Sequence, residues 1–345
     1  MPLFRRKQTT PDQAAAIAAF WAWWGETGAA WVAQAIADRD PQRVVDELSS
    51  RIGAVRDGLA WELAPGGSTE HLLVVSADGN PDLRASARRW LRAAPPPSAV
   101  WRYADSRQPV ADLGDALLDV NGTEVTLGDL TVLVEPQDTR LAVTVHHPTF
   151  AAIPERDRTF ISFLALDNAI GEAAVETWIS GVEPSPTASP GAVPLEQLRS
   201  LLAAHVGQHL DDEGQPTWRI LSAETSAGPM LVTAMVPLAP SVAADLDQHV
   251  AVVVPYVHRN EGEFPTEVSL DALRALEDHL CERVGTGGRL VAHETCAGRR
   301  TLHFYVDSTG PAADVLRTAV AGWQEGRVEV SAEPDPGWQA VRHFG

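Results

Sequence analysis

From residue 249 onward the chain alternates between two hydrophobic periods in a set order, and that order constrains the fold more than any other feature. Strand-like apolar runs at 249–256, 289–295, 301–306 and 327–332 are interleaved with helix-period segments at 268–283 and 311–323. The order is therefore strand, helix, strand, strand, helix, strand. Val250–Val254 is apolar at every position, as a central strand covered on both faces would be.

This βαββαβ succession is the ferredoxin-like arrangement in pattern. Ahead of it lie a helix at 195–206 and strands at 217–224 and 229–236. The first half opens with helices near 11–24, 28–37 and 41–56, then strands at 59–64 and 71–77, a helix at 81–93 and a strand at 99–104. A hairpin is predicted at Asn121-Gly122, a pair suited to the positive φ angles of a two-residue turn. Strands at 131–136 and 140–147, a helix near 154–169 and a strand at 174–181 complete this half. Prolines at 184, 186, 190 and 194 interrupt both helix and ladder patterns, so the expected domains are 1–183 and 195–345, joined by a linker at 184–194. The fold class is α+β: two halves of antiparallel sheet with packed helices. The halves also share a helix, strand, strand, helix, strand order, which points to an internal duplication.

Composition excludes several chemistries. The single lysine, Lys7, lies in a polar N-terminal stretch, and every other basic side chain except histidine is arginine. A phosphate-loop lysine, a kinase strand lysine and a Schiff-base lysine are all missing from suitable settings. A net charge of −19 opposes nucleic acid as a partner. The two cysteines, Cys281 and Cys296, form no disulfide framework, which fits a reducing cytoplasm. The uncharged run Ala14–Gly25 is too short to span a bilayer and carries an N-terminal helix signature, Thr10-Pro-Asp-Gln13, so it is expected to be a soluble amphipathic helix.

Candidate chemistry is sparse. His279, Cys281, His293 and Cys296 are the nearest approach to a zinc set, but residues two apart on a helix point about 200° apart. His205 and His209 are four apart at a helix end beside Asp211, Asp212 and Glu213, without the glutamate a zinc protease places after its first histidine. His146 and His147 are adjacent in a strand and face opposite sides. Gly285-Thr-Gly-Gly288 follows a helix and precedes a strand, the reverse of a dinucleotide loop, and is expected to be a turn. No catalytic residue, cofactor or metal is therefore assigned. Trp21 and Trp24 share a helix face with Phe20, whereas Trp23 lies off that stripe and is the candidate for an exposed interaction patch.

Residues from about Pro216 to the C-terminus carry four further landmarks. These are Val250-Ala-Val-Val-Val-Pro-Tyr256 before Gly262-Glu-Phe-Pro265; the helix Leu273-Arg-Ala-Leu-Glu-Asp-His-Leu280; His293-Glu-Thr-Cys-Ala-Gly-Arg-Arg300 followed by Leu302-His-Phe-Tyr-Val-Asp307; and the ending Glu333-Pro-Asp-Pro-Gly-Trp338. In that order they resemble a bacterial domain-of-unknown-function family, number 695, over about residues 216–345. The resemblance implies no reaction. It implies only an association, since such domains are sometimes joined to one similar to a protein-binding regulator of ribonuclease E.

The expected function is a non-catalytic, cytoplasmic protein-binding or regulatory module with a basic protein partner and no nucleic-acid or membrane partner. Two alternatives stand beside it. One is an enzyme of unrecognised type, a metal-dependent hydrolase using His205, His209 and His293 in a cleft between the halves. The other is a structural homo-oligomer.

Overall fold

In the computed structural model, which describes residues 12–345, the Asp12 carboxylate caps the first helix by accepting from the Ala15 N–H at 3.4 Å. Thr10, expected in that role, lies outside the described residues. Helix α1 (Gln13–Trp23) does not end where the two predicted helices were divided. It passes through one π-helical turn, Trp24–Gly28, directly into α2 (Ala29–Ala37). Gly28 makes this continuity workable, because a Cβ there would meet the Trp23 ring at 2.9 Å.

The chain divides into two compact units at Arg107/Gln108. The first continues with α3 (Gln42–Val55), β1 (Ala60–Pro65), β2 (His71–Ser76), α4 (Pro81–Arg92) and β3 (Trp101–Ala104). Val44, Leu48, Ile52 and Val55 recur at helical spacing on α3 and are buried. The strands run in the order β1-β2-β3, with β1/β2 antiparallel and β2/β3 parallel. Phe20, Trp24, Trp90 and Trp101 fill the core. The Trp24 indole N–H donates to the Tyr103 hydroxyl at 2.8 Å and that of Trp101 to the Ala29 carbonyl at 3.2 Å, so these two rings are buried with their polar edge satisfied.

The second unit begins with the hairpin β4 (Leu117–Val120) and β5 (Thr123–Thr126), turned on Asn121 (φ 53°) and Gly122 (φ 79°) as the sequence predicts. There follow β6 (Thr131–Gln137), β7 (Arg140–His146), α5 (Glu155–Ile170), α6 (Glu172–Trp178), β8 (Ile179–Ser185) and β9 (Val193–Pro194). These strands form a sheet in the order β8-β7-β6-β9. The predicted strand at 174–181 is thus helix as far as Trp178. Segment 184–194 differs from the expected linker. Its two ends are strands, Val145 opposing Pro184 and Val132 opposing Val193. Both strands are sheet edges, where a proline forfeits no ladder donor, so proline content does not mark a boundary here. Because β2/β3 and β7/β8 are parallel, two of the sheets are mixed and not antiparallel throughout.

After α7 (Leu198–Val206) comes the largest sheet, built from β10 (Trp218–Thr225), β11 (Gly228–Met235), β12 (Gln248–Pro255), β13 (Gly288–Cys296), β14 (Arg299–Val306) and β15 (Glu329–Pro334). The strand order is β10-β11-β13-β14-β12-β15, with every neighbouring pair antiparallel. Helices α8 (Glu267–Val284) and α9 (Ala312–Ala319) cover one face, where Leu273, Leu280 and Leu316 pack with Val250, Val252, Leu302 and Phe304. The C-terminal turns bring Trp338, Val341 and Phe344 against the other face with Ala292 and Tyr305. The architecture is α+β. Among the described residues no helix is long and apolar enough to cross a membrane.

Candidate functional site

Helix α8 buries Leu273, Leu280 and Val284 at core spacing, and Glu277 falls on the same stripe. A carboxylate in such a position needs charged or hydrogen-bonding partners. Strand β13 supplies one: His293 Nδ1 lies 3.2 Å from Glu277 Oε2. Strand β14 supplies the other, with Arg300 Nη1 at 3.9 Å from the same oxygen. Arg300 also donates from Nε to Thr295 Oγ1 at 3.1 Å. The register opposes Thr295 to Arg300 and His293 to Leu302, which places His293, Thr295 and Arg300 on the helix-covered face. Desolvation lowers the Arg300 pKa, and the neighbouring Glu277 charge opposes that effect.

A cleft of about 500 Å³ opens beside this cluster, lined by Glu277, Cys281 and Val284 of α8, Trp218 and Met235 of the β10–β11 hairpin, and Arg289. Burial, reinforced by the Glu277 and Asp278 carboxylates, pushes the Cys281 thiol up to about 11. At neutral pH it is protonated and a poor nucleophile. The Glu277–His293 contact orients the imidazole, but Glu277 Oε2 and His293 Nδ1 are buried without a well-aligned hydrogen bond, so the cluster is first a charge contact held by packing.

On the opposite face of the sheet His249 and His303 stack, with ring centroids 5.2 Å apart, and His249 Nε2 lies 3.0 Å from His303 Nδ1. Such a contact requires one nitrogen to donate and the other to accept. Desolvation, then the like charges of His249, His343 and His293, push His303 down to about 3. Desolvation also lowers His249, against the carboxylates of Asp335 and Glu333. Beside them the Tyr305 hydroxyl donates to Asp335 at 2.6 Å, while Asp335 accepts from the Gln339 and Ala340 N–H groups. Trp338 stacks on Tyr305 at 4.4 Å, and its indole N–H donates to the Leu246 carbonyl at 2.9 Å.

The residues singled out in the sequence are dispersed. His205 and His209 do meet, with centroids 4.8 Å apart, but they pack around Trp178, and His205 Nε2 is 3.0 Å from the Thr139 carbonyl. Asp211, expected to assist them, instead accepts from the N–H groups of Glu213 and Gln215 in its own turn. His279 is exposed on α8, while Cys296 sits at the β10–β11 turn with Sγ 3.7 Å from Thr225 Oγ1. His146 Nδ1 lies against the Ser185 carbonyl and His147 Nδ1 against Thr149 Oγ1. Among the described residues no group of three or more His, Cys, Asp or Glu is arranged to hold a metal ion. Trp23 is half-buried, in edge contact with Phe20 and Trp24, with the Arg51 guanidinium 4.3 Å from its ring centroid.

Sequence reasoning passed over Glu277, Arg300, His249 and His303. A signal for Glu277 existed: a carboxylate set at an otherwise apolar helix position. The partner on β13 emerges only when the strand is laid under the helix. No curated protein matches the chain. Residues 217–344, which contain both clusters and the whole β10–β15 sheet, match the model of DUF695, a family of unknown function.

Proposed function

We propose that this protein is a protein-recognition module, with its binding surface on the β10–β11 hairpin. One observation carries this reading: Trp218, Ile220 and Leu231 are 46 %, 75 % and 39 % exposed on one face of that hairpin, next to the cleft. Singly exposed apolar residues are ordinary, but a contiguous set on a rigid sheet is a feature of docking surfaces. The strand order β13-β14-β12-β15 with both helices on one face supports a ferredoxin-like unit as the scaffold, and β10–β11 extends its sheet. A net charge of −19 favours a basic protein as partner, with long-range attraction speeding encounter. The free thiols Cys281 and Cys296 support a cytoplasmic setting.

The test is a pull-down from lysate at low and moderate salt, comparing the native chain with Ile220→Glu. A band retained by the native chain and lost by the variant is expected. Identical bands from both proteins at both salt concentrations would remove the reading.

A further inference from the structure

Strand β10 is the terminal strand of the largest sheet, paired on one side only. The Val236 N–H donates to the Thr217 carbonyl at 2.8 Å, so Thr217 faces β11. Alternation along an antiparallel pair then turns Arg219, Leu221 and Ala223 toward β11 as well, and the peptide groups of Trp218, Ile220, Ser222 and Glu224 outward. Among the described residues no neighbouring strand takes up these outward groups.

Sheet edges in proteins are normally guarded by charge, proline or a bulge. The opposite edge of this sheet is guarded: β15 carries Glu329, Glu333 and Pro334. By contrast, β10 runs Ile220-Leu221-Ser222-Ala223 with no charge or proline, and its register with β11 is unbroken from Trp218 to Thr225. The even-numbered side chains that accompany the free peptide groups belong to the uncovered apolar face. Acidic groups lie at both ends of this edge. Exposed Asp211, Asp212 and Glu213 precede it, and exposed Glu224 closes it. The one cation within the strand, Arg219, is engaged by Asp138 at 2.8 Å.

We infer that β10 accepts an extended, basic segment of another protein as an added strand. This rests on the protein-recognition reading and specifies its mode. Main-chain hydrogen bonds to the outward peptides would supply register. Alternate apolar side chains of the incoming segment would pack beside Trp218 and Ile220, and flanking arginines or lysines would meet the acidic ends.

The probe is a short synthetic peptide of alternating valine and threonine flanked by arginine pairs, titrated into the full chain at low salt by fluorescence anisotropy. Saturable binding is expected. Ser222→Pro removes an outward N–H without touching the β11 ladder and should weaken binding about tenfold or more, while Ser222→Ala leaves it unchanged. Circular dichroism confirms that both variants are folded. Amide exchange on the native chain gives an independent readout, with the peptide expected to slow Ile220, Ser222 and Glu224. No binding, or equal binding by Ser222→Pro, overturns strand addition. Equal binding of a glutamate-flanked peptide overturns the basic partner. Light scattering that shows a native dimer, made monomeric by Ser222→Pro, overturns it in favour of a second copy of this chain. If the peptide fails while Ile220→Glu still loses its lysate partner, the mode is wrong and the recognition reading stands.

Discussion

Glu277 illustrates what a single side chain can carry. On a stripe shared with Leu273, Leu280 and Val284 it would be an uncompensated charge, were it not within reach of His293 and Arg300. Glu277→Ala is expected to lower stability by about 1–3 kcal/mol, short of the cost of breaking a fully buried pair, because its side chain keeps 22 % of its exposure. Urea unfolding of Glu277→Ala beside Glu277→Gln reads this, with the amide retaining part of the loss. Trp338 is a second such residue. It is buried on Tyr305 with a left-handed backbone (φ 51°) that a bulky residue adopts only when its surroundings impose it. Trp338→Ala should cost about 3–5 kcal/mol, seen as a lower thermal midpoint. The helix face containing Glu277 was legible as a period. The identity of its partners was not, since they lie on strands that pair through register and not through sequence proximity.

At the scale of elements, periodicity predicted most helices and strands to within a few residues, and it failed where local cues conflicted with packing. The helices expected at 11–24 and 28–37 leave a gap at 25–27, yet the helix runs through it by a π turn at Trp24–Gly28. The Trp23 ring occupies the space that a side chain at 28 would need. Gly28→Ala should therefore displace that indole from Phe20 and Arg51, altering the tryptophan emission spectrum and lowering stability by about 1 kcal/mol. The proline-rich segment failed in the other direction. Residues 184–194 read as a linker, but an edge strand needs only one donor-bearing side, and Pro184 and Pro194 both lie in edge strands. The same principle separates the two edges of the largest sheet: β15 is charged and proline-bearing, and β10 is neither along its middle.

For the whole molecule, charge and proton linkage dominate. His303 is held near 3 in the folded chain against 6.5 for a free imidazole, and His249, His147 and His209 are lowered in the same direction. Within the pH interval between those values the unfolded chain binds more protons, so stability is fullest above about 6.5 and falls as the pH drops. His303 contributes up to about 1.4 kcal/mol per pH unit, and the other three act in the same direction. Chemical denaturation between pH 6.5 and 5, above the range of ordinary carboxylates, should show this slope, and His303→Gln should flatten it. The sequence by itself determined the α+β class, the order of elements after residue 249, the lack of a placed catalytic lysine and the acidic charge of −19. All of these are properties of composition or of local period. Tertiary structure alone decided which titratable groups meet, where the units divide and which sheet edge is left open. Glu277 and His293 are 16 positions apart and His249 and His303 are 54; helix-on-sheet packing joins the first pair and strand pairing the second, through contacts that no local pattern encodes.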